Sequence, residues 1–366
     1  FDIPGDGIDQ NCNGRDSIAG DTTPPTVSIA APAEDAAVTM PTNIIGTATD
    51  TNFLRYTLLV AGIDDPAFRV LAAGTAPVVN GILGRLDPTL LEDGMYRVRL
   101  VAEDVNGQMS LAERVYRVAG RTKVGVLTLS FTDLQIPVSG IPVTVVRTYD
   151  SRVKSRRDFG IGWSLQIKTG TYQNNRRPGD GWIVSASGGP FGLPCQQTSE
   201  MRSHFTEIRL SDSEFYLFRP RVTNLAAVVG GCVGTVAYEF IDGLAPATLG
   251  VLGNADVIYT SGDQLTEFDG TDSTGLVFNP ARVRLTTFDG RVIDLDRAAG
   301  ITAVQDANGN SLRITPAGVV HSSGKSIAFQ RDGLGRLTRI TDPNGATLNY
   351  GYDANGDLAQ FVDQLG

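Results

Sequence analysis

Residues 332–366 read DGLGRLTRITDPNGATLNYGYDANGDLAQFVDQLG. Four corners of the form Asp-x-x-Gly begin at Asp332, Asp342, Asp353 and Asp363, at steps of 10, 11 and 10 residues. Taken in pairs they define a unit of 21 residues, in which Ile327 aligns with Leu348, Phe329 with Tyr350, Leu337 with Leu358 and Ile340 with Phe361. A repeat of this length settles architecture before local propensity does.

Aspartate at the first corner and glycine at the fourth is the chemistry of a type I β-turn, and Pro343 stands where that turn favours a preset φ. About six residues remain between corners, enough for a strand of roughly 20 Å. Leu348, Tyr350 and Tyr352 fall on one face of the first arm, as do Ile327 and Phe329 one unit earlier. Leu337 and Ile340 in the second arm are out of phase, so one arm faces a core more clearly than the other. The expected product is an antiparallel meander that grows by one hairpin per unit.

The run GRLTRITDPNGATLNYGYDANGDL, with its Tyr352-Asp353 pair, resembles the RHS or YD repeat. That resemblance implies long β-sheet ribbons that spiral into hollow shells, as in bacterial polymorphic toxins and teneurin-like surface proteins. The block from Lys123 to Leu165 is similar to the opening segment of such shells, including the Arg147-Thr148-Tyr149 strand end and the Phe159-Gly160-Ile161-Gly162-Trp163 turn. The family's self-cleaving core and released toxin would lie beyond Gly366.

Composition agrees with a folded, turn-dense β-protein: hydrophobic residues make up 41%, charged residues 19%, and there are 42 glycines among 366 residues. A net charge of −9 disfavours general nucleic-acid binding. No apolar run reaches the 18 residues that a spanning helix needs; Leu225 to Tyr238 is broken by Gly230, Gly231 and Gly234. The chain opens without methionine and stops on a repeat glycine, which points to a piece of a longer exported polypeptide. A last strand left open would offer an edge for the downstream chain or for self-association.

Residues 1–21, FDIPGDGIDQNCNGRDSIAGD, are dense in oxygen-bearing side chains. Asp9, Asn11, Asn13 and Gly14 reproduce the first half of an EF-hand-type loop, in which alternate residues point oxygens at a hard cation. Gly20 stands where that loop would carry its bidentate glutamate, so Asp6, Asp16 or Asp21 would have to supply the missing charge. The segment also resembles the D-G-x-D-x-x-C-x-G metal-binding motif of large secreted bacterial proteins. Structural Ca²⁺ is therefore expected through Asp6, Asp9, Asn11, Asn13 and Asp16. Gly5 leaves Cys12 without the nearby cysteine some relatives have. Cys195 and Cys232 either pair in an oxidising compartment or stay as two buried thiols.

Residues 22–119 match the size of one β-sandwich, with strands expected at Thr26–Ala30, Asn43–Thr47, Leu54–Val60, Tyr96–Glu103 and Arg114–Val118. The pattern GMYRVRLVAEDVNG is similar to late strands of bacterial Ig-like and fibronectin-like modules. The expected order is thus all-β: a loop over 1–21, an Ig-like sandwich over 22–119, an RHS-type N-terminal sheet over 120–285, and YD repeats over 286–366. Residues 166–285 are the least legible.

Arg147, Arg152, Lys154, Arg156, Arg157, Lys168, Arg176 and Arg177 gather positive charge on an acidic chain. They are either a solvated hairpin loop or a surface for an acidic glycan. His204 and His321 lie in no metal or triad spacing, and no G-x-S-x-G or phosphate-cradling loop occurs. No catalytic residue is assigned and enzymatic activity is not expected. The reading is a structural or interaction protein, secreted or at the cell surface: part of a β-shell that encloses or presents a downstream, toxin-like region. A surface adhesin or self-assembling fibre subunit is the alternative.

Overall fold

The computed structural model describes residues 2–120, 125–185, 195, 197–228, 231–259 and 262–365. They fall into two compact units, Phe1–Gly125 and Val126–Gly366. The protein is all-β, with two single-turn 3-10 helices among the described residues, Pro88–Leu90 and Gln166–Lys168.

The first unit holds eight strands: β1 Thr26–Ala31, β2 Ala37–Val38, β3 Thr42–Thr49, β4 Phe53–Gly62, β5 Arg69–Gly74, β6 Val78–Leu86, β7 Gly94–Asp104 and β8 Met109–Val118. They form a sheet ordered β1-β3-β6 and another ordered β2-β8-β7-β4-β5. One core joins the two, drawing Ile29, Ile44 and Leu83 from the first and Leu58, Val98, Leu100 and Tyr116 from the second. Strict alternation makes this possible: Val98, Leu100 and Ala102 are fully buried, and Arg99 pairs at the surface with Glu113. The expected strands all form, each longer than expected. β2, β5 and β6 were not anticipated; in β6 a register shift and Gly81 and Gly84 blur the period.

The second unit begins with β9 Thr128–Ile136, β10 Val143–Asp150, β11 Arg156–Arg157, β12 Gly160–Ile161, β13 Trp163–Leu165 and β14 Thr171–Asn174. It continues with β15 Trp182–Ser185, β16 Gln197–Glu200, β17 Thr206–Arg209, β18 Phe215–Val228, β19 Gly231–Gly243 and β20 Ala247–Val251. Then follow β21 Asp256–Tyr259, β22 Leu265–Phe268, β23 Ser273–Val277, β24 Arg282–Thr287, β25 Val292–Asp296 and β26 Gly300–Gln305. The last six are β27 Ser311–Thr315, β28 Gly318–His321, β29 Ser326–Arg331, β30 Leu337–Thr341, β31 Thr347–Tyr352 and β32 Leu358–Val362.

The strands β20 and β24 to β32 make one ten-stranded sheet, in which every strand from β24 onward hydrogen-bonds to the next along the chain. This is the expected meander. It runs across position 285/286 and takes in β20 and β24 ahead of the YD corners. A seven-stranded sheet, β14-β17-β18-β19-β21-β22-β23, and a three-stranded sheet, β13-β10-β9, pack with it. All three contribute to one core, including Val145, Phe159 and Leu165, Tyr216 and Phe218, and Ile293 through Tyr350. The Cys195–Cys232 disulfide forms, tying the segment ahead of β16 to β19.

The phase slip of the second arm has a simple cause. Gln330 pairs with Arg339 and Arg331 with Leu337, so Thr338 is an extra, unpaired residue. That β-bulge lets Leu337 and Ile340, three apart, both bury completely. The same insertion recurs at Ala359 in β32 and at Thr302 in β26. The hydroxyls of Thr302 and Thr338 each donate across the bulge, to the Asp294 and Gln330 carbonyls.

Candidate functional site

Four corners of the ten-stranded sheet share one construction. Asp306, Asp332, Asp342 and Asp353 each accept two backbone N–H groups on Oδ1, from the residues two and four further on, at 2.8–2.9 Å. The backbone N–H of each corner glycine closes the turn on the aspartate carbonyl, with φ between +82° and +92°. The corner Asp306-Ala307-Asn308-Gly309 was overlooked although it repeats the letters of 353–356; a step of 26 residues to Asp332 conceals it. Between them lies a corner with no aspartate, His321-Ser322-Ser323-Gly324, whose backbone bonds are the same: His321 N to Lys325 O and Gly324 N to His321 O, both 2.9 Å.

The tyrosine of the Tyr352-Asp353 pair works backwards along the sheet. Its Oη donates to the Leu337 carbonyl at 2.6 Å, and the Arg336 guanidinium lies 4.0 Å from its ring centroid while pairing with Asp332 at 2.7 Å. This hairpin thereby grips the one before it. Burial, against the opposing charge of Arg336, pushes the Tyr352 phenol well above its ordinary value, so it stays a donor.

The opening segment is seated against this sheet. The Asp158 carbonyl accepts from Leu337 N at 2.7 Å, and its carboxylate meets Arg331 at 2.8 Å and Lys168 at 3.3 Å. Phe159 is fully buried with its ring 4.8 Å from that of Tyr350. Gly160 has φ of +100°, and a Cβ there would stand 2.8 Å from the Gly356 carbonyl oxygen, so only glycine lets the turn approach this closely. Deeper in, Arg147 donates through Nε and Nη2 to Asp133 at 3.0 and 3.1 Å, and the Tyr350 hydroxyl donates to the same carboxylate at 2.9 Å. The guanidinium sits 4.7–5.8 Å from the rings of Phe131, Trp163, Tyr350 and Phe361.

In the first unit the acidic loop caps one end of the sandwich. Asp2, not singled out from sequence, organises it by accepting from Gln10 N and Ser17 N at 2.7 and 2.8 Å. Asn13 Nδ2 donates to the Val105 carbonyl and Ile18 N to Asn106 Oδ1, which fixes the loop on the β7–β8 turn. The five expected ligands spend oxygens on the loop's own N–H groups. Asp9 accepts from Asn13 and Gly14, Asn11 from Asn13, Asp16 from Gly5 and Gly7, Asp6 from Ile8, and Asn13 from Arg15.

Among the described residues, the carboxylates that do converge are Asp21, Asp50 and Asp104, with oxygens within 4.8 Å of one another. Asp104 is fully buried. Its two oxygens accept from the backbone and side-chain amide of Gln108, at 2.8 and 2.9 Å. The Asn52 amide and the Thr23 N–H hold the Asp21 carboxyl below its ordinary value, which keeps it ionised. Three close oxygens of like charge are a donor set that suits a hard cation such as Ca²⁺. These residues come from two loops and the end of β7, so no spacing rule could have joined Asp50 and Asp104 to Asp21.

Several other side chains prove structural. Arg147, Arg152, Lys168 and Arg177 are consumed by Asp133, Asp150 with Asp212, Asp158 and Asp180, so these four members of the basic cluster are neutralised. Lys154 and Arg156 are exposed. His204 lies just ahead of β17 rather than in a strand, fully buried and stacked on Trp182 at 5.2 Å, with Nε2 at 2.7 Å from the Asp180 carbonyl. Burial pushes its pKa below the ordinary histidine range, with Glu200 opposing. Among the described residues no helix is long and apolar enough to cross a membrane.

No curated protein matches the sequence. Among solved structures, a DUF4784 family protein from Bacteroides caccae is 9% identical over 91% of this chain and 95% of its own, with a TM-score of 0.15. The RHS Repeat family model matches residues 306–347 and 331–363. The strands from β27 to β32, with the corners and bulges described above, are therefore similar to RHS repeats.

Proposed function

We propose that this chain is a structural protein of the RHS type: an exported β-scaffold whose repeat sheet forms part of a shell wall enclosing or presenting a downstream region. The observation that carries the reading is the uninterrupted meander from β24 to β32, sealed on one face by the opening segment through Asp158, Phe159 and Arg147. A wall of this kind acts by geometry: corners turn the chain, bulges keep apolar side chains on one side, and Tyr352 staples its hairpin to the one before. The Cys195–Cys232 bridge favours an oxidising, extracytoplasmic setting. Size-exclusion chromatography and limited proteolysis of the full gene product test the reading. A discrete particle with a protease-protected interior is expected. Sheets or filaments growing through the outer edge of β32 would instead support a surface adhesin or fibre subunit.

A structural calcium ion at the loop-capped end of the sandwich belongs to the same reading. Calorimetry on the whole chain, with Asp9→Asn plus Asp16→Asn set against Asp104→Asn, separates the loop from the converging carboxylates as the donor set. No heat and no thermal shift with calcium would remove it.

A further inference from the structure

We propose that the corner at His321 is an acid-sensitive joint in the repeat sheet, at which a neutral imidazole stands where four other corners carry an aspartate and loses its holding bond on proton uptake. At four corners Oδ1 of an aspartate accepts the N–H two residues on, and at His321 that N–H, from Ser323, is taken by Nδ1 at 2.9 Å. A backbone N–H can only donate, so Nδ1 must be the unprotonated nitrogen and the proton must reside on Nε2. The Ser323 hydroxyl also lies 2.8 Å from Nδ1. His321 is 2% exposed, and Nε2 has no hydrogen-bond partner.

Proton uptake turns Nδ1 into a donor. The hydroxyl of Ser323 can rotate and accept, but its N–H cannot, and two donors then face each other in a buried turn. Relief from a nearby anion is lacking on the adjoining elements. β27 contributes Arg313, which strand alternation places on the opposite, exposed face, and β29 contributes Arg331. The corner itself contributes Lys325, whose ammonium donates to the Pro137 carbonyl of the β9–β10 connection. Residues 136–141 of that connection carry no ionisable side chain. Asp306 and Asp342 belong to the flanking corners on the same side of the sheet, where Asn308 and Asn310 hold the first carboxylate and the Asn344 and Ala346 N–H groups the second. The Asp306 and Asp332 carboxyls are held below their ordinary value by their corner hydrogen bonds. An imidazole freed from the corner takes up a proton over about pH 5 to 8, and in that form its Nδ1 cannot accept the Ser323 N–H again, so acidification favours the opened β28–β29 turn.

Amide hydrogen exchange on the whole chain at pH 7.5 and 5.0, corrected for intrinsic rates, tests this at each corner. Protection of Ser323 and Gly324 in the wild type should fall about tenfold at pH 5.0 relative to the corners at Asp332 and Asp342. His321→Asn, which keeps an acceptor that does not titrate, and His321→Asp should abolish that difference. Equal loss at every corner, or the same loss in His321→Asn, would overturn the proposal. So would ¹⁵N shifts of the wild-type imidazole showing Nδ1 protonated at pH 7.5, a measurement that stands even if the variants fold poorly.

Discussion

Replacing Arg147 by methionine should destabilise the second unit by about 3–5 kcal/mol, the cost of leaving a buried charge without its partner. The structure supports the upper half of that range. The Asp133 side chain is 2% exposed and that of Arg147 is 9% exposed, so water cannot take over the carboxylate. Methionine preserves most of the stem volume, which keeps the cavity contribution small. What remains for Asp133 is one bond from Tyr350, at 2.9 Å. Asp133→Asn leaves an acceptor for that hydroxyl, and the double variant Asp133→Asn/Arg147→Met removes both charges together. The cycle should therefore show a coupling of at least about 1.5 kcal/mol, with the double variant more stable than Arg147→Met alone. Urea unfolding followed by the fluorescence of Trp163 and Trp182 reads the transition of this unit. A loss under about 1 kcal/mol for Arg147→Met, or strict additivity, would refute the idea that this buried pair of the opening segment is what stabilises the seat of Tyr350.

Gly160→Val should cost several kcal/mol, or prevent the opening segment from seating, because its Cβ meets the Gly356 carbonyl and its φ is left-handed; near-UV circular dichroism of Trp163 reports the outcome. Reduction of the Cys195–Cys232 bridge, which closes a loop over a sequence separation of 37, should lower stability by about 4 kcal/mol in the loop-entropy account, checked by thermal melts with and without reductant. The Asn310 amide, then the Asn310 and Asn308 N–H groups, hold Asp306 below its ordinary value. The Thr271 hydroxyl with the Asp272 and Thr271 N–H groups holds Asp269 to about 2. Folded values below unfolded ones mean that this stability is complete above about pH 4 and lost as pH falls toward 2. Asp306→Asn should flatten that acid limb in a pH series of unfolding midpoints.

The corners, the 21-residue unit and the all-β class were legible because each rests on neighbours in sequence. Asp332 and Gly335 make their turn whatever the rest of the chain does. The out-of-phase pair Leu337 and Ile340 was visible as well, but its cause was not, since a bulge is defined only against the partner strand that Gln330 and Arg331 supply. The seating of the opening segment depends on contacts such as Arg331 with Asp158 and Tyr350 with Asp133, separated by 173 and 217 residues, which no periodicity encodes. At the sandwich end the sequence drew attention to Asp6, Asp9, Asn11, Asn13 and Asp16, where oxygens are dense. The fold instead brings Asp21, named only as one source of the missing charge, together with Asp50 from another loop and Asp104 at the end of β7.

The inserted residue at Thr338 and Ala359 also bears on how such a chain can change in length. Side chains alternate every second position, so an odd unit of 21 would by itself turn successive copies inside out. One surplus residue per copy restores parity. Gain or loss of a whole copy then leaves every later strand correctly presented, whereas a single-codon slip would expose the lining of everything downstream.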